Sequence, residues 1–325
     1  MSPELDSIAA LRGVWSSVPG KSGNADYTLL AEIEGAFAAR SRAGLPAVVF
    51  PMEDVGTAPF GRRASGCELL AHSETRFVFQ GRDTVGPAAA LLCIDPLLVD
   101  AFVVLAVDAA KRLRASGGSW ASLQAIVEEW QSLLAPRGRP SAETEMGLWG
   151  ELWFLSQSAD IERAIAGWRG PDGDATDFFL GGKGAEVKTS RLRRQHFVSL
   201  AQVDAPVGTH DAWMMSIWVK PDPGSSSTVA TLAESILNRA HDRGEALRRL
   251  ARAGYSPAER SGYLATFVVL TEPEWFGAAD IPRVRAADPG VSQLRYRVSL
   301  DEGRRASAPV SDSLWRHFLG HSYGE

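Results

Sequence analysis

The triplet Glu186-Val187-Lys188 lies in a run, residues 185–190, whose period-two alternation puts Glu186 and Lys188 on one face of a strand and Val187 on the other. Asp177 stands nine positions before Glu186, across Gly181-Gly182-Lys183-Gly184. Segments 176–180 and 185–190 flank this glycine turn and read as a β-hairpin. Asp177 can then approach Glu186 if it shares that face. Two neighbouring acids raise each other's proton affinity, and a divalent cation removes the conflict. An oxygen-rich site of this kind selects Mg²⁺ or Mn²⁺ rather than zinc. A lysine beside it can orient a water, help deprotonate it, and balance charge developing on phosphorus.

A third acid is conspicuous by its surroundings. Between Met146 and Leu155 the sequence is MGLWGELWFL, with Glu151 as its sole ionisable residue. At roughly 100° per residue, Leu148 and Leu155 lie on one side of Glu151, and Gly147 and Phe154 on the other. A carboxylate on a helix apolar all round must be paired, neutral or metal-bound, because leaving it bare costs several kcal/mol. Gly147 and Gly150 would admit another backbone on the adjacent faces. Glu-x-Lys alone says little, since the triplet arises by chance about once in such a chain. A lone helix acid, a strand acid, a glycine turn and then Glu-x-Lys together say more.

The elements that must hold these residues fall into three stretches. Residues 1–95 read as a β-rich domain: 47–50, 75–80 and 88–94 are short apolar or alternating runs separated by Gly and Pro, while 27–40 fits helix or strand equally. Residues 96–135 read as a helical connector, with apolar residues at helical spacing from Leu97 to Ala109 and a second helix after Gly117-Gly118. Segment 135–140, APRGRP, is the best boundary. Beyond it, 141–325 reads as one further domain. Ser141 is a plausible N-cap, with Glu143 and Glu145 in the first turn where the helix dipole favours acids. Strands are expected at 196–200, 212–219, 263–270 and 293–300, and a helix from Thr228 into the 240s. The order is that of an α/β or α+β fold. Trp213, Met215 and Ile217 alternate as core residues. Asp172 and Asp174 are turn-formers, although either could take the place of Asp177 as ligand.

Composition sets the outer limits. The chain has 325 residues, 45% hydrophobic and 22% charged, with a formal net charge of −5. That is the balance of a soluble protein with a real core. No apolar run nears the roughly 18 residues that cross a bilayer. No basic segment followed by an apolar one marks the start as a secretory signal, so a cytoplasmic protein without membrane contact is expected. Cys67 and Cys93 each sit in an apolar stretch and are expected as buried free thiols; no C-x-x-C pair suggests structural zinc. The acidic balance counts against a general nucleic-acid binder, but basic sets at Arg191, Arg193 and Arg194, at Arg248, Arg249 and Arg252, and at Arg283 and Arg285 could form local patches.

From residue 141 to 204 the chain resembles an uncharacterised bacterial family within the PD-(D/E)XK superfamily, found among restriction and phage-defence genes. Gly147-Leu148-Trp149-Gly150-Glu151-Leu152 is similar to its G-L-x-G-E-L helix. Trp168-Arg169-Gly170-Pro171 followed by Asp177-Phe178, then Glu186-Val187-Lys188-Thr189-Ser190, then His196, Ser199 and Gln202 are similar to its further motifs. Pro289-Gly290-Val291 before Tyr296 also fits. Thr176 departs from the pattern, which has His before the Asp.

The resemblance implies a restriction-endonuclease-like mixed sheet flanked by helices. It implies a Mg²⁺- or Mn²⁺-dependent endodeoxyribonuclease, with Asp177 and Glu186 on the metal, Glu151 completing or tuning the site, and Lys188 positioning the water. Thr189, Ser190, Arg191, Arg193, Arg194, His196 and Gln202 are the expected DNA contacts. For His196 and Gln202 a phosphate contact stands beside a core or capping role. DNA, protein partners of a defence complex and a second copy of the chain are the expected partners. The alternatives are a silent nuclease-fold scaffold subunit, and an RNase or structure-specific nuclease.

Overall fold

A computed structural model describes residues 11, 13–15, 25–56, 60–79, 82–135, 138–174, 176–199, 202–203, 211–284, 294–301 and 303–324. Pro289, Gly290, Val291, Arg285 and part of the 135–140 segment lie outside the described residues. Two compact units emerge: residues 1–137 with 241–251 and 256–258, and residues 138–240 with 252–255 and 259–325.

The first unit carries β1 (Tyr27–Ile33), β2 (Ala36–Ser41), β3 (Pro46–Pro51), β4 (Phe60–Ala64), β5 (Cys67–Phe79) and β6 (Arg82–Cys93). Segment 27–40, open between helix and strand on periodicity, is the β1–β2 hairpin. Glu34 and Gly35 turn it with φ of 51° and 84°, the paired positive values of a tight hairpin turn. The strand order is β1-β2-β3-β6-β5-β4, and β1 also pairs in parallel with β5. Five strands therefore close on themselves, which removes the exposed edges of an open sheet. One face of the ring packs Tyr27, Leu29, Ala39, Ala47, Val49, Ala88, Ala90 and Leu92 together. Two helices follow, α1 (Val99–Ala115) and α2 (Trp120–Leu134), the second capped by Ser119 accepting from Ser122 N. Every residue of α1 from Ala101 to Ala110 is buried, including Asp108. Its carboxylate accepts from Trp130 Nε1 at 2.8 Å and pairs with Arg248 at 2.6 Å, so the charge is compensated where it is buried. Cys67 and Cys93 are cross-strand neighbours, both free and buried. Burial pushes their thiols up to about 12 and about 11, which keeps them unreactive.

The second unit opens with α3 (Ala142–Ser156) and α4 (Ile161–Gly167). Ser141 caps α3 by accepting from Thr144 N at 3.1 Å, with Glu143 and Glu145 in the first turn. Then come β7 (Phe178–Leu180), β8 (Lys183–Ser190), β9 (Gln195–Ser199), β10 (Asp211–Pro221) and α5 (Val229–Arg239). After α6 (Arg243–Arg252), whose residues to 251 belong to the first unit, follow β11 (Phe267–Val269), β12 (Glu274–Gly277), β13 (Arg295–Ser299) and α7 (Ala308–Leu319). The sheet order is β11-β10-β8-β7, with β12 also on β10. β8 and β10 run parallel and the other pairs antiparallel, a mixed sheet. β9 and β13 form a separate antiparallel ribbon. Helix α3 packs on β8 and α5. The architecture is α+β, as the element order implied.

Three expectations need correction. The helix expected from Thr228 into the 240s is two helices broken at Ala240. The strand expected over 263–270 shrinks to three residues, Phe267–Val269. Strand β12 and helix α7 were not foreseen; four residues of β12 are too few to show a period. Met215 and Ile217 are fully buried in β10, as expected of core residues. Trp213 is only half-buried, its Nε1 donating to Asp211. Among the described residues no helix is long and apolar enough to cross a membrane.

Candidate active site

The hairpin that carries the candidate site is short for a reason that matters. Gly181 and Gly182, with φ of 50° and 82°, turn β7 into β8. Only Phe178 to Leu180 pair with β8, ending at Ala185. Beyond Ala185 the β7-side edge of β8 has no strand partner among the described residues, and Val187 N on that edge donates to Asp177 Oδ2 at 2.7 Å. Asp177 thus comes one residue beyond the last register pair, Phe178 with Ala185, with its carboxylate held at the edge of β8. Its own carbonyl accepts from Arg169 N and Gly170 N at 2.6 and 3.0 Å, which fixes the chain just before β7.

Glu186 and Lys188 keep the alternation that the sequence showed. Lys188 Nζ lies 2.6 Å from Glu186 Oε1, and Gln202 Nε2 donates to the same oxygen at 2.6 Å. Gln202 is placed by a reciprocal pair: its N donates to Ser199 Oγ at 3.2 Å, and Ser199 N donates to Gln202 Oε1 at 3.0 Å. This reciprocal pattern is that of a capping box, and the Gln202 amide is left to bond Glu186. His196 is buried and bonded through Nε2 to Ser216 Oγ at 2.7 Å. Ser216 is the register partner of Lys188 across the parallel pair. Burial, helped by the nearby Lys188, lowers His196 to about 3. The ring is buried and also borders the cavity described below.

Glu151 reaches the same place from α3. Its Oε2 accepts from Trp168 Nε1 at 2.9 Å. Trp168 and Gly170 explain the Trp-x-Gly-Pro element: a Cβ at Gly170 would stand 2.7 Å from Glu151 Oε2 and 3.4 Å from Asp177 Oδ1. Only a glycine leaves that space between the two acids. Gly150, one residue earlier on α3, meets the Thr189 side chain of β8, whereas Gly147 has open space before it. The close approach expected of both glycines belongs to Gly150 alone.

Glu151, Asp177, Glu186 and Lys188 all border one cavity of about 480 Å³. Loss of solvation raises Glu151 to about 7, with the Glu186 charge adding to it against the Trp168 hydrogen bond and Lys188. Asp177 is raised well above the ordinary range by burial and then by Glu186 and Glu151. Burial alone would lower Lys188, but Glu186, Asp177 and Glu151 outweigh it and hold the ammonium. The acids therefore feel one another in the way that the sequence suggested.

A stability consequence can be measured without any substrate. Glu151 has a folded-state pKa raised above its unfolded value near 4.5, so the folded state binds the proton more tightly. Its favourable term is present below pH 4.5 and is lost as pH rises through about 7. Glu151→Gln removes the ionised form. In EDTA it should raise unfolding stability at pH 8 by about 1–2 kcal/mol, a figure reduced because the carboxylate opens on the cavity and is partly screened. At pH 4 the two proteins should match. Urea titrations at both pH values check this, and a uniform shift would show a packing effect instead.

Among the described residues, no three His, Cys, Asp or Glu side chains stand close enough to cage a metal as they lie. The donor chemistry still fits a hard cation. Glu151 and Asp177 converge on the point that Gly170 keeps open, and Glu186 borders the same cavity. A shift of side chains would be needed to bring all three together.

The expected DNA contacts divide. Ser190, Arg191 and Gln202 line the cavity. Thr189 borders it too, but its Oγ1 is buried, has no hydrogen-bond partner and is pressed against Gly150, so the hydroxyl is not presented to a ligand. Arg194 is not available either: its guanidinium binds Glu274 through Nε at 2.6 Å and Nη2 at 2.5 Å. Arg193 stacks over Trp218, 5.7 Å from the ring centre, and leans toward Glu274. Asp172 and Asp174 are exposed and do not line the cavity, so neither replaces Asp177. Arg295 and Arg297 were missed, although they line the cavity. Their alternation in Arg295-Tyr296-Arg297 was the available signal.

No curated protein and no solved structure matches the chain. A family profile, DUF4420, described as "Putative PD-(D/E)XK family member", matches residues 66–301. That span holds every acid of the cavity and runs through more than half of the chain, so the chain belongs to this PD-(D/E)XK-related family.

Proposed function

We propose that this protein hydrolyses phosphodiester bonds of DNA as a divalent-metal-dependent endonuclease, within restriction or phage defence as the resemblance implies. The observation that carries the reading is the meeting of Glu151, Asp177, Glu186 and Lys188 on one cavity wall from three separate elements. Asp177, Glu186 and Glu151 would hold a Mg²⁺ or Mn²⁺ ion. The ion supplies neutralisation of the phosphate's charge and lowers the pKa of a water.

The chain's own residues do the rest. Glu151, whose Oε2 is bonded to Trp168, would accept the proton of the attacking water at Oε1. Lys188, paired with Glu186, is the cation of the site. It orients the water and stabilises negative charge on the phosphoryl oxygens. The water oxygen bonds to phosphorus as the bond to the leaving ester oxygen breaks, and that oxygen takes a proton from solvent. Gln202 and Val187 N fix the two strand-borne carboxylates in place.

Metal binding has a direct test. Mn²⁺ or Mg²⁺ should raise the melting temperature of the wild type in a saturable way, because an ion that binds the folded state stabilises it by mass action. Asp177→Asn should abolish that rise. A rise of equal size in both proteins would remove this metal assignment. Nicking of supercoiled plasmid with either ion, and none in EDTA, tests the hydrolytic step.

A further inference from the structure

The β9–β13 ribbon presents two unlike faces. On one, Val198 and Val298 are buried in a cluster with Met214, Phe276 and Leu300. On the other, Phe197 is 41% exposed and lies opposite Arg297 in the register. The guanidinium carbons of Arg295 and Arg297 stand 5.2 and 4.8 Å from the centre of its ring. All three residues line the cavity that holds Glu151, Asp177, Glu186 and Lys188. Among the described residues, no carboxylate pairs with either arginine.

A phenyl ring open to water on the wall of a charged cavity offers an aromatic surface to a ligand. Two arginines against it keep it in place and bring cations beside it. The chemistry this combination matches is a nucleic-acid strand: phosphates for the guanidinium groups and the flat face of a base for the ring. A regular duplex offers the arginines its phosphates but offers the ring nothing, because its bases already stack on each other. We propose that Phe197, Arg295 and Arg297 form a platform for an unpaired nucleotide of single-stranded DNA beside the scissile phosphate, so that the preferred substrate is single-stranded or carries an unstacked base. This rests on the nuclease reading for the identity of the strand. The platform itself is a binding site and can be tested without turnover.

The experiment measures fluorescence anisotropy of labelled single-stranded DNA, and of the same sequence as a blunt duplex, with the full-length protein in EDTA. Phe197→Ala should weaken single-strand binding about tenfold, within the range expected for loss of one base–aromatic stack, and leave duplex binding unchanged. Phe197→Trp, which keeps a stacking face, should bind like the wild type. Phe197→Leu keeps apolar bulk without the ring and should behave like Phe197→Ala, which guards against a folding effect. The Arg295→Ala/Arg297→Ala pair should flatten the salt dependence on single strands by roughly 1.4 in log–log slope for two phosphates. No binding of single strands by the wild type, an unaltered Phe197→Ala, an equal loss on duplex, or an unaltered salt slope would overturn the platform. If binding behaves as expected but no nicking occurs with Mg²⁺ or Mn²⁺, the platform stands and the hydrolytic reading falls. If the wild type nicks DNA but Phe197→Ala binds single strands normally, the hydrolytic reading stands and the platform falls.

Discussion

Lys188→Ala and Asp177→Ala should each lower plasmid nicking by 10²- to 10⁴-fold while the folded protein persists, the range associated with loss of a positioned proton-transfer or charge-stabilising group. The geometry gives separate reasons for the two. Lys188 is held as an ammonium by Glu186, Asp177 and Glu151, so alanine removes the cation that faces the developing charge on phosphorus. It also leaves Glu186 with only the Gln202 amide, so part of the loss comes from misplacing that carboxylate. Lys188→Met keeps the stem and its packing, and it should lose activity to the same extent. Asp177→Ala frees Val187 N and removes one oxygen donor, whereas Asp177→Asn can still accept from Val187 N. Equal loss in both Asp177 variants would place the effect in the charge. Far-UV and near-UV circular dichroism of all four should overlay the wild type. Unchanged nicking by the Lys188 and Asp177 variants would refute the catalytic assignment.

Gly150→Ala should destabilise the protein by about 1–3 kcal/mol, the usual penalty for a methyl group forced into a packed contact. The sign is not obvious from α3 by itself. Alanine is the better helix former by about 1 kcal/mol, so an isolated helix would gain from the change. The neighbour decides: an added Cβ would lie 1.7 Å from Thr189 Oγ1 and 3.0 Å from Thr189 Cβ. Neither atom can swing away as the end of a long side chain could, so α3 and β8 must separate. Glu151 is the next residue on α3 and Lys188 precedes Thr189 on β8, so separation also disturbs the site. The double variant Gly150→Ala/Thr189→Ala should regain most of the lost stability. It removes the 1.7 Å clash with Oγ1, keeps the helix gain and deletes a buried hydroxyl that has no hydrogen-bond partner, while the 3.0 Å approach between the two Cβ positions stays. Urea unfolding of the wild type, both single variants and the double variant closes the cycle. Additive effects in it would show that the two positions do not touch.

The positioning of the site explains why some of it was legible beforehand. The hairpin turn, the Ser141 cap, the alternation of Glu186 and Lys188, and the oddity of Glu151 all depend on residues within a few positions of one another. Local backbone geometry governs them, and sequence spacing reports local geometry directly. The two cysteines and the strand-rich first hundred residues were readable for the same reason. The parallel pairing of β1 with β5 that closes the first sheet joins residues about fifty positions apart, and no periodicity within either strand encodes it.

The arginines show the same limit from the other side. Arg193 and Arg194 follow the Glu-x-Lys strand directly, and proximity in sequence made them candidates for phosphate contact. Folding brings Glu274 to them from eighty positions away and consumes the charge of Arg194. Arg295 and Arg297 are about a hundred positions from the hairpin, yet the β9–β13 pairing brings them to the cavity. The Asp177 carboxylate bonds to the edge of β8 just where the pairing of β7 ends. Trp168 and Gly170 gained their meaning only when Glu151 arrived from α3. The residue types and the local elements of this protein were set by short-range chemistry that the sequence displays. Which charges remain available, which are neutralised, and which distant acids border one cavity were decided by long-range pairing, because electrostatic partnership depends on distance in space and not along the chain.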